Sequence, residues 1–387
     1  MKALYLALGR DLLSADAGTT HTTSIVTALA SLGHEVTLVA RGADASLVAP
    51  AACVPDAPVK PTGPTAWRKA ARDLASSAGG VDVIQERAEE SGGVGVALSA
   101  ITAKPLVLEV NTPVSGHPNP VIRRLADWNL RRQARRAAAI ITQTPLSRSI
   151  IETYTDSPVY VVPNGADPER FSPTVPPAMI AEASGRKIVA FAGSLRTWHG
   201  VEDLIEAAGM VIARRDDVFF LFIGSGPLEE RARASASRML GQGDYLFTGA
   251  VEPSEVPAFL AAAAVLAAPF APAKDGVRKR QFARSGMWWS PVKIFEYMAM
   301  GKPIVASAAG MVSEYAAGAA LTFPPGNVSA LADCICSLLD DEESARLLGK
   351  AAREKLVQHY TWRRAAEMTA AVWQQALRRG QKVSRTT

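Results

Sequence analysis

Residues 2–40 read KALYLALGRDLLSADAGTTHTTSIVTALASLGHEVTLVA. The apolar run KALYLAL (2–8) predicts a buried strand. A polar loop holding Gly18 and Thr19 follows, then a helix from about His21 to Leu32, closed by Gly33 and His34. EVTLVA (35–40) supplies a second strand. Strand, glycine-bearing loop, helix and strand in this order make a parallel βαβ unit. The loop falls at the carboxyl end of the first strand, where open α/β sheets bind ligands. It lacks G-x-G-x-x-G, so a nicotinamide site has little support here.

Working outward, VDVIQ (81–85), PLVLEV (105–110), AAIITQ (138–143) and VYVVP (159–163) are short runs rich in β-branched residues, without alternation, as in strands covered on both faces. Glu86, Arg87, Glu109 and Asn111 fall at or just after strand ends, either lining a ligand crevice or serving as helix caps and loop pairs. The segment IRRLADWNLRRQARR (122–136) predicts an arginine-rich helix. It could rest on acidic lipid or contact an anionic acceptor. A solvated helix face is the plainer reading, because few large apolar residues accompany the charge.

PNGADPERFSPTVPPAMIAEASGR (163–186) is rich in Pro, Gly and Ala and reads as an interdomain linker. The pattern then restarts. KIVAFAG, VFFLFIG and YLFTGA read as strands, with VEDLIEAAGMVIARR and SGPLEERARASASRML as the helices between them. Two βαβ-rich halves imply an α/β chain of two doubly wound, Rossmann-like domains facing a central cleft.

In the second half, Gly193, Ser194, Arg196, Trp198, His199 and Gly200 directly follow a strand. Arg196 and His199 could meet a phosphate there, although a lone histidine is commonly structural. Gly224 and Gly226 permit close backbone approach, without the third glycine of a dinucleotide fingerprint. APAKDGVRKRQFARSGMWW (271–289) reads as a basic loop, either a flap over an anionic donor or an exposed charged segment.

That loop leads into WWSPVKIFEYMAMGKP (288–303). Ser290 can cap a helix with Pro291 at its first position, and Gly301 and Pro303 mark its end. A helix N-terminus presents free N–H groups and partial positive charge to a phosphate. Lys293 and Glu296 lie one turn apart on one face. A cation for a diphosphate beside a carboxylate for sugar hydroxyls suits a sugar nucleotide; a plain surface Lys/Glu pair is the alternative.

The whole chain sets bounds. At 387 residues it can bury two domain cores. A net charge of +5 mildly favours anionic ligands, but the basic residues are scattered without interleaved aromatics, which speaks against nucleic acid. Cys53, Cys334 and Cys336 show no C-x-x-C spacing and cannot all pair, so a reducing cytoplasm is the simplest home. The N-terminal run reads as a strand rather than a signal peptide, and no apolar run reaches membrane-span length. Peripheral membrane contact and oligomeric state stay open.

Taken in order, LASLGHEVTLVA, VVPNGADPERF, FAGSLRTWHGVEDLIEAA, LFIGSGPLEE, FTGAVEPSEVPAFLAAAAVLAAPF and SPVKIFEYMAMGKPIVAS resemble the retaining glycosyltransferases of family 4, which have the GT-B fold. The resemblance runs through nearly the whole chain. It implies an acceptor domain over 1–165, completed by a C-terminal helix over 366–387, and a nucleotide-sugar donor domain over 186–365. It implies that Glu296, the second glutamate of the family's E-x7-E pattern, bonds the ribose hydroxyls. The first glutamate falls at Trp288, so backbone groups near Ser290, Pro291 and Val292 stand in for its contact to the donor sugar. Lys293 is expected at the diphosphate or donor sugar. The family's GR…KG clamp becomes Gly193-Ser194 and His199-Gly200, with Arg196 as the replacement cation and Gly224 nearby. Asn111, next to Glu109, takes the place of a histidine carried by many relatives. Gly18 and Thr19 match the glycine loop near the diphosphate and acceptor, with Arg87 also on the acceptor side.

The activity implied is transfer of a sugar, with retention, from a nucleoside diphosphate sugar to a hydroxyl of a small natural product, glycan or lipid. UDP is the default donor nucleotide. No D-x-D occurs, so no metal and no further cofactor are expected. The alternatives are an epimerase or pseudo-glycosyltransferase of the same fold, or a non-catalytic nucleotide-sugar-binding module.

Overall fold

The computed structural model describes residues 1–14, 16–42, 44–54 and 61–384. They form two compact units. The first holds Met1–Asn164, Gln281–Ser290 and the C-terminal stretch from Trp362. The second holds Gly165–Arg280 and Pro291–Thr361.

The first unit carries a seven-stranded sheet built from β1 (Lys2–Asp11), β2 (Glu35–Arg41), β3 (Ala52–Val54), β4 (Val83–Arg87), β5 (Leu106–Val110), β6 (Ala139–Thr142) and β7 (Val159–Val161). The order is β3-β2-β1-β4-β5-β6-β7, and every pair is parallel. The second sheet holds β8 (Lys187–Ala192), β9 (Val218–Ile223), β10 (Tyr245–Gly249), β11 (Val265–Ala268), β12 (Ile304–Ser307) and β13 (Leu321–Phe323), in the order β10-β9-β8-β11-β12-β13. Its pairs are also all parallel. Each sheet therefore reverses winding direction once, beside β1 and beside β8. Ligands of doubly wound folds sit at such points.

Both cores are what β-branched and aromatic strand runs dictate when helices cover both faces. In the first unit Leu4, Leu6, Ile84, Leu108 and Ile140 pack under Trp67, Leu74 and Leu98. In the second, Val189, Phe191, Phe220 and Phe222 pack under Leu204, Val211, Leu331 and Ile335, with Phe222 stacked on Phe247. The C-terminal helix, Trp362–Ser384, lies against the helix Ala17–Ser31 and buries Trp373 completely. Residues 385–387 of the segment expected to complete the acceptor domain fall outside the described residues.

Four local expectations are corrected. The first helix starts at Ala17, not near His21, because the Asp16 carboxylate accepts the Thr19 N–H at 2.8 Å; Gly18 and Thr19 are therefore helical. Residues 276–285 form a helix rather than a loop, and 281–290 group with the first unit. The 163–186 stretch is packed from Gly165 onward into the second unit: Ala166 N–H bonds the Tyr360 carbonyl, and Arg353 holds the Phe171 and Pro168 carbonyls. Finally, the helix Val292–Ala299 is preceded by Pro291 and has no side-chain cap. Ser290 instead meets Asn164, whose N–H donates to its hydroxyl at 3.4 Å and whose Nδ2 donates to its carbonyl at 2.6 Å.

Candidate active site

In the second unit the helix Val292–Ala299 sets Lys293, Glu296 and Tyr297 on one face, at i, i+3 and i+4. Tyr297 is fully buried, and its hydroxyl accepts the Ala192 N–H at 2.7 Å. That bond ties the helix to the last residue of β8, so Lys293 arrives over the loop that begins at Gly193. A Cβ built on Gly193 would stand 2.9 Å from Lys293 Nζ.

The Lys293 ammonium is sealed from solvent and has no hydrogen-bond partner. It rests over the Phe191 ring at 3.9 Å and near Phe270 at 5.4 Å. Burial pulls its pKa down to about 7, against the opposing pull of Glu296. The Glu296 carboxyl is pushed up by burial, with Arg170 and Lys293 pulling the other way. The N-terminus of this helix has no side-chain cap, and the Ile294 N–H bonds the Pro291 carbonyl at 3.3 Å.

The loops around this lysine are closely laced. Gly193 N–H bonds the Ile223 carbonyl, and Leu195 N–H bonds the Ser225 carbonyl. Gly224 holds φ at +116°, and a Cβ there would stand 2.5 Å from the Gly193 carbonyl oxygen. Gly200 is tighter still: a Cβ would overlap the Pro269 carbonyl. His199, expected at a phosphate, is buried with Nδ1 donating to the Ser194 carbonyl and its ring against Trp198, which makes it a brace for the loop. Arg196 is exposed on the same loop.

In the first unit Glu109, at the end of β5, is 2 % exposed. Its Oε2 accepts from Tyr5 Oη at 2.5 Å and Gln85 Nε2 at 2.8 Å. Its Oε1 accepts from His21 Nε2 at 2.7 Å and Asn111 Nδ2 at 2.7 Å, with Arg87 Nη1 at 3.9 Å. A carboxylate offers about four lone-pair sites, and protein donors occupy them all. Burial pushes this carboxyl up, but His21, Arg87 and Tyr5 together hold it well below the usual carboxylate range. Glu109, expected to orient the acceptor, thus orients protein groups instead.

The network extends further. His21 Nδ1 lies 2.8 Å from Asn164 Oδ1, whose orientation is fixed because Asn164 Nδ2 donates to the Ser290 carbonyl. Both imidazole nitrogens therefore face oxygen atoms of neighbouring side chains, which fixes the ring between Glu109 and Asn164. Gln85 is fixed from behind by Trp373, whose Nε1 donates to its Oε1 at 2.6 Å. The consequence is outward: Asn111 is held through Nδ2, which leaves its buried Oδ1 without a partner. Arg87 is buried, with Nη1 3.4 Å from Thr22 Oγ1. Gly18 has the Arg10 guanidinium beside it, 2.3 Å from a would-be Cβ.

Trp288 belongs to the first unit, apart from the helix that follows it. Its carbonyl accepts from Thr144 Oγ1 at 2.9 Å and Ser147 Oγ at 3.1 Å, and its buried Nε1 has no partner. Sequence reasoning missed His21, Asn164, Tyr5, Gln85 and Tyr297. Their only signal was polar character inside otherwise apolar strand and helix runs.

Two wound parallel sheets, each with a polar cluster beside its winding reversal, define the class: a GT-B fold. The chain belongs to the family 4 glycosyltransferases. The model described as Glycosyltransferase Family 4 matches residues 18–170, and that described as Glycosyl transferases group 1 matches 186–341. The chain is 28 % identical over 334 residues to an MMP alpha-(1->4)-mannosyltransferase of Mycolicibacterium hassiacum, covering 80 % of this chain and 74 % of that one. It is 26 % identical over 208 residues to a GDP-mannose-dependent monoacylated alpha-(1-6)-phosphatidylinositol monomannoside mannosyltransferase of Corynebacterium glutamicum, covering 52 % of each. Among solved structures, Anabaena HepE in complex with UDP superposes with a TM-score of 0.70 at 19 % identity, over 96 % of this chain and 99 % of that one.

Proposed function

We propose that the chain transfers a sugar from a nucleoside diphosphate sugar to an acceptor hydroxyl, with retention and without a metal. The observation that carries this is the sealed, unpaired ammonium of Lys293 at the winding reversal of the second sheet. A buried cation without a partner is costly, and an anionic ligand removes that cost. On this reading the diphosphate lies between Lys293, Arg196 and the helix N-terminus, against Gly193, Ser194 and Gly224. Glu296 takes the ribose hydroxyls, and backbone groups at Ser290, Pro291 and Val292 meet the donor sugar.

Asn111 Oδ1, a buried acceptor atom of the first unit without a partner, receives a hydroxyl of the sugar acceptor. Gly18, Thr19 and Arg87 border it. Glu109 and His21 hold Asn111 in place without touching substrate. In the chemical step the acceptor oxygen bonds the anomeric carbon as the bond to the β-phosphate oxygen breaks. The acceptor proton passes to that leaving oxygen on the same face. Lys293 and Arg196 stabilise the charge that builds on the diphosphate.

UDP is the default donor nucleotide, as in the HepE complex, and the corynebacterial mannosyltransferase's name makes GDP-mannose the first competitor. The test is nucleotide release from UDP-, GDP-, ADP- and TDP-sugars with a panel of hydroxyl acceptors. The expected outcome is acceptor-dependent release from one donor and an α-configured product from an α-configured donor. Isomerised donor without transfer, or binding without turnover, would overturn the reading.

A further inference from the structure

The helix Pro120–Ala134 of the first unit buries Ala126, Asn129, Leu130, Gln133 and Ala134. Its opposite face carries Val121, Leu125 and Trp128, which are 62 %, 60 % and 60 % exposed. Their spacing, i, i+4 and i+7, makes one stripe along the helix. Ile122, also exposed, widens it at the N-terminal end. Single exposed apolar residues need no explanation, but four large ones on two helical turns do.

The charge beside the stripe is one-sided. Between 120 and 136 stand six arginines and one aspartate. That aspartate, Asp127, is occupied by Arg284 and by the Ser115 N–H. Arg124 is exposed and flanks the stripe; Arg131 and Arg135 are exposed too, Arg131 lying over the Tyr154 ring at 4.6 Å and Arg135 Nε donating to the Tyr154 carbonyl at 3.1 Å.

Asn129 Nδ2 donates to the Glu90 and Gly92 carbonyls, and Arg132 lies over the Trp67 ring at 4.7 Å. These contacts hold the second half of the helix against the loop after β4, at the carboxyl edge of the sheet. The first half is held by Arg123, which donates to the His117 carbonyl at 3.1 Å, and by Asp127, while Val121, Ile122, Leu125 and Trp128 stay exposed.

We propose that this face docks on an anionic lipid bilayer, with Trp128 and Leu125 in the interface and the arginines on the headgroups. A bilayer supplies an apolar layer and negative charge together, which is what the stripe and its flank require. A tryptophan at the boundary of an arginine-lined apolar face suits the headgroup region. A second copy fits worse: a two-fold contact through the same stripe would set these arginines against their own counterparts. The proposal does not depend on the transferase reading.

The experiment is co-sedimentation of the full chain with phosphatidylcholine vesicles, alone and with one third phosphatidylglycerol. The variants are Leu125→Ser/Trp128→Ser and Arg124→Glu, each checked for an unchanged melting temperature. Binding is expected only to the anionic vesicles. The double variant should bind at least about tenfold more weakly, and Arg124→Glu should weaken binding and its salt dependence. Equal binding by wild type and double variant would overturn the proposal. So would no binding at all, or a concentration-dependent dimer that the same variants abolish without any vesicle binding.

Discussion

Two charged groups, each at the carboxyl edge of its own sheet, are handled in opposite ways. Glu109 is a carboxylate whose four lone-pair sites are filled by Tyr5, Gln85, His21 and Asn111. Lys293 is an ammonium with no hydrogen bond, resting against the faces of Phe191 and Phe270 and supported by the charge of Glu296. The first is a finished network whose work is to hold its neighbours still. The second is an unfilled valence, stabilised when a ligand arrives. Functional sites commonly combine the two: rigid support around a group left deliberately unsatisfied.

The largest effect should come from breaking the finished side. Glu109→Ala takes the shared carboxylate partner away from Tyr5, Gln85, His21 and Asn111 at once. It should lower unfolding stability by about 3–5 kcal/mol in urea denaturation. A loss below about 1 kcal/mol would mean that the network is not organised around this carboxylate.

Breaking the unfilled side should do the reverse to stability. Lys293→Met removes a sealed, unpaired cation. The ligand-free protein should melt higher below neutral pH, while nucleoside diphosphate affinity drops by about a hundredfold, or roughly 2.7 kcal/mol. A lower melting point in the variant would show that the ammonium has a partner in solution.

A third position lies between these extremes. Glu86 is 4 % exposed, close to the N–H groups that open the helix Val94–Thr102, and its Oε2 has no partner. Burial, only partly offset by those N–H groups and Arg132, raises its pKa to about 7. Its folded pKa exceeds its unfolded value, so the folded state binds more protons between about pH 4.5 and 7 and loses stability as pH rises through that window. Glu86→Gln removes the ionisation. It should stabilise the protein by on the order of 2 kcal/mol at about pH 8 and by little at about pH 4. A variant with unchanged pH dependence would contradict this.

The smallest effect is the pH profile of donor binding. With the free Lys293 near 7, a bound diphosphate raises that pKa, and binding takes up a proton above neutrality. Affinity should fall by up to about tenfold per pH unit from about pH 7 upward in wild type. In Lys293→Met it should stay flat. Titration calorimetry in two buffers of different ionisation enthalpy reads the proton directly.

How much of this was legible in the sequence follows from contact range. The central strands were readable because apolar runs such as VFFLFIG (218–224) admit little else. The three-residue strands Ala52–Val54 and Leu321–Phe323 and the alanine-rich Val265–Ala268 were not, because each is too short or too featureless to outweigh its surroundings. The helix Gly276–Ser285 was read as a loop because its composition is charged and its packing comes from Gln281 and Arg284 bonding the distant Val114 and Ser115 carbonyls. Lys293 and Glu296 were legible because their pairing is one helical turn. The His21 network was not: Glu109 and Asn164 lie 88 and 143 residues away along the chain. The bracing contact of His199 was not legible for the same reason, since a loop histidine shows what it holds only once the fold is known.

The measurement closest to the central claim is titration of UDP and GDP into wild type and Lys293→Met slightly below neutral pH, with melting curves on both. We predict that one nucleotide binds wild type selectively and that the variant, folded and more stable, binds it about a hundredfold more weakly. Equal affinity in the two proteins, or no binding of any nucleotide by wild type, would contradict the assignment of Lys293 as the group that awaits the donor diphosphate.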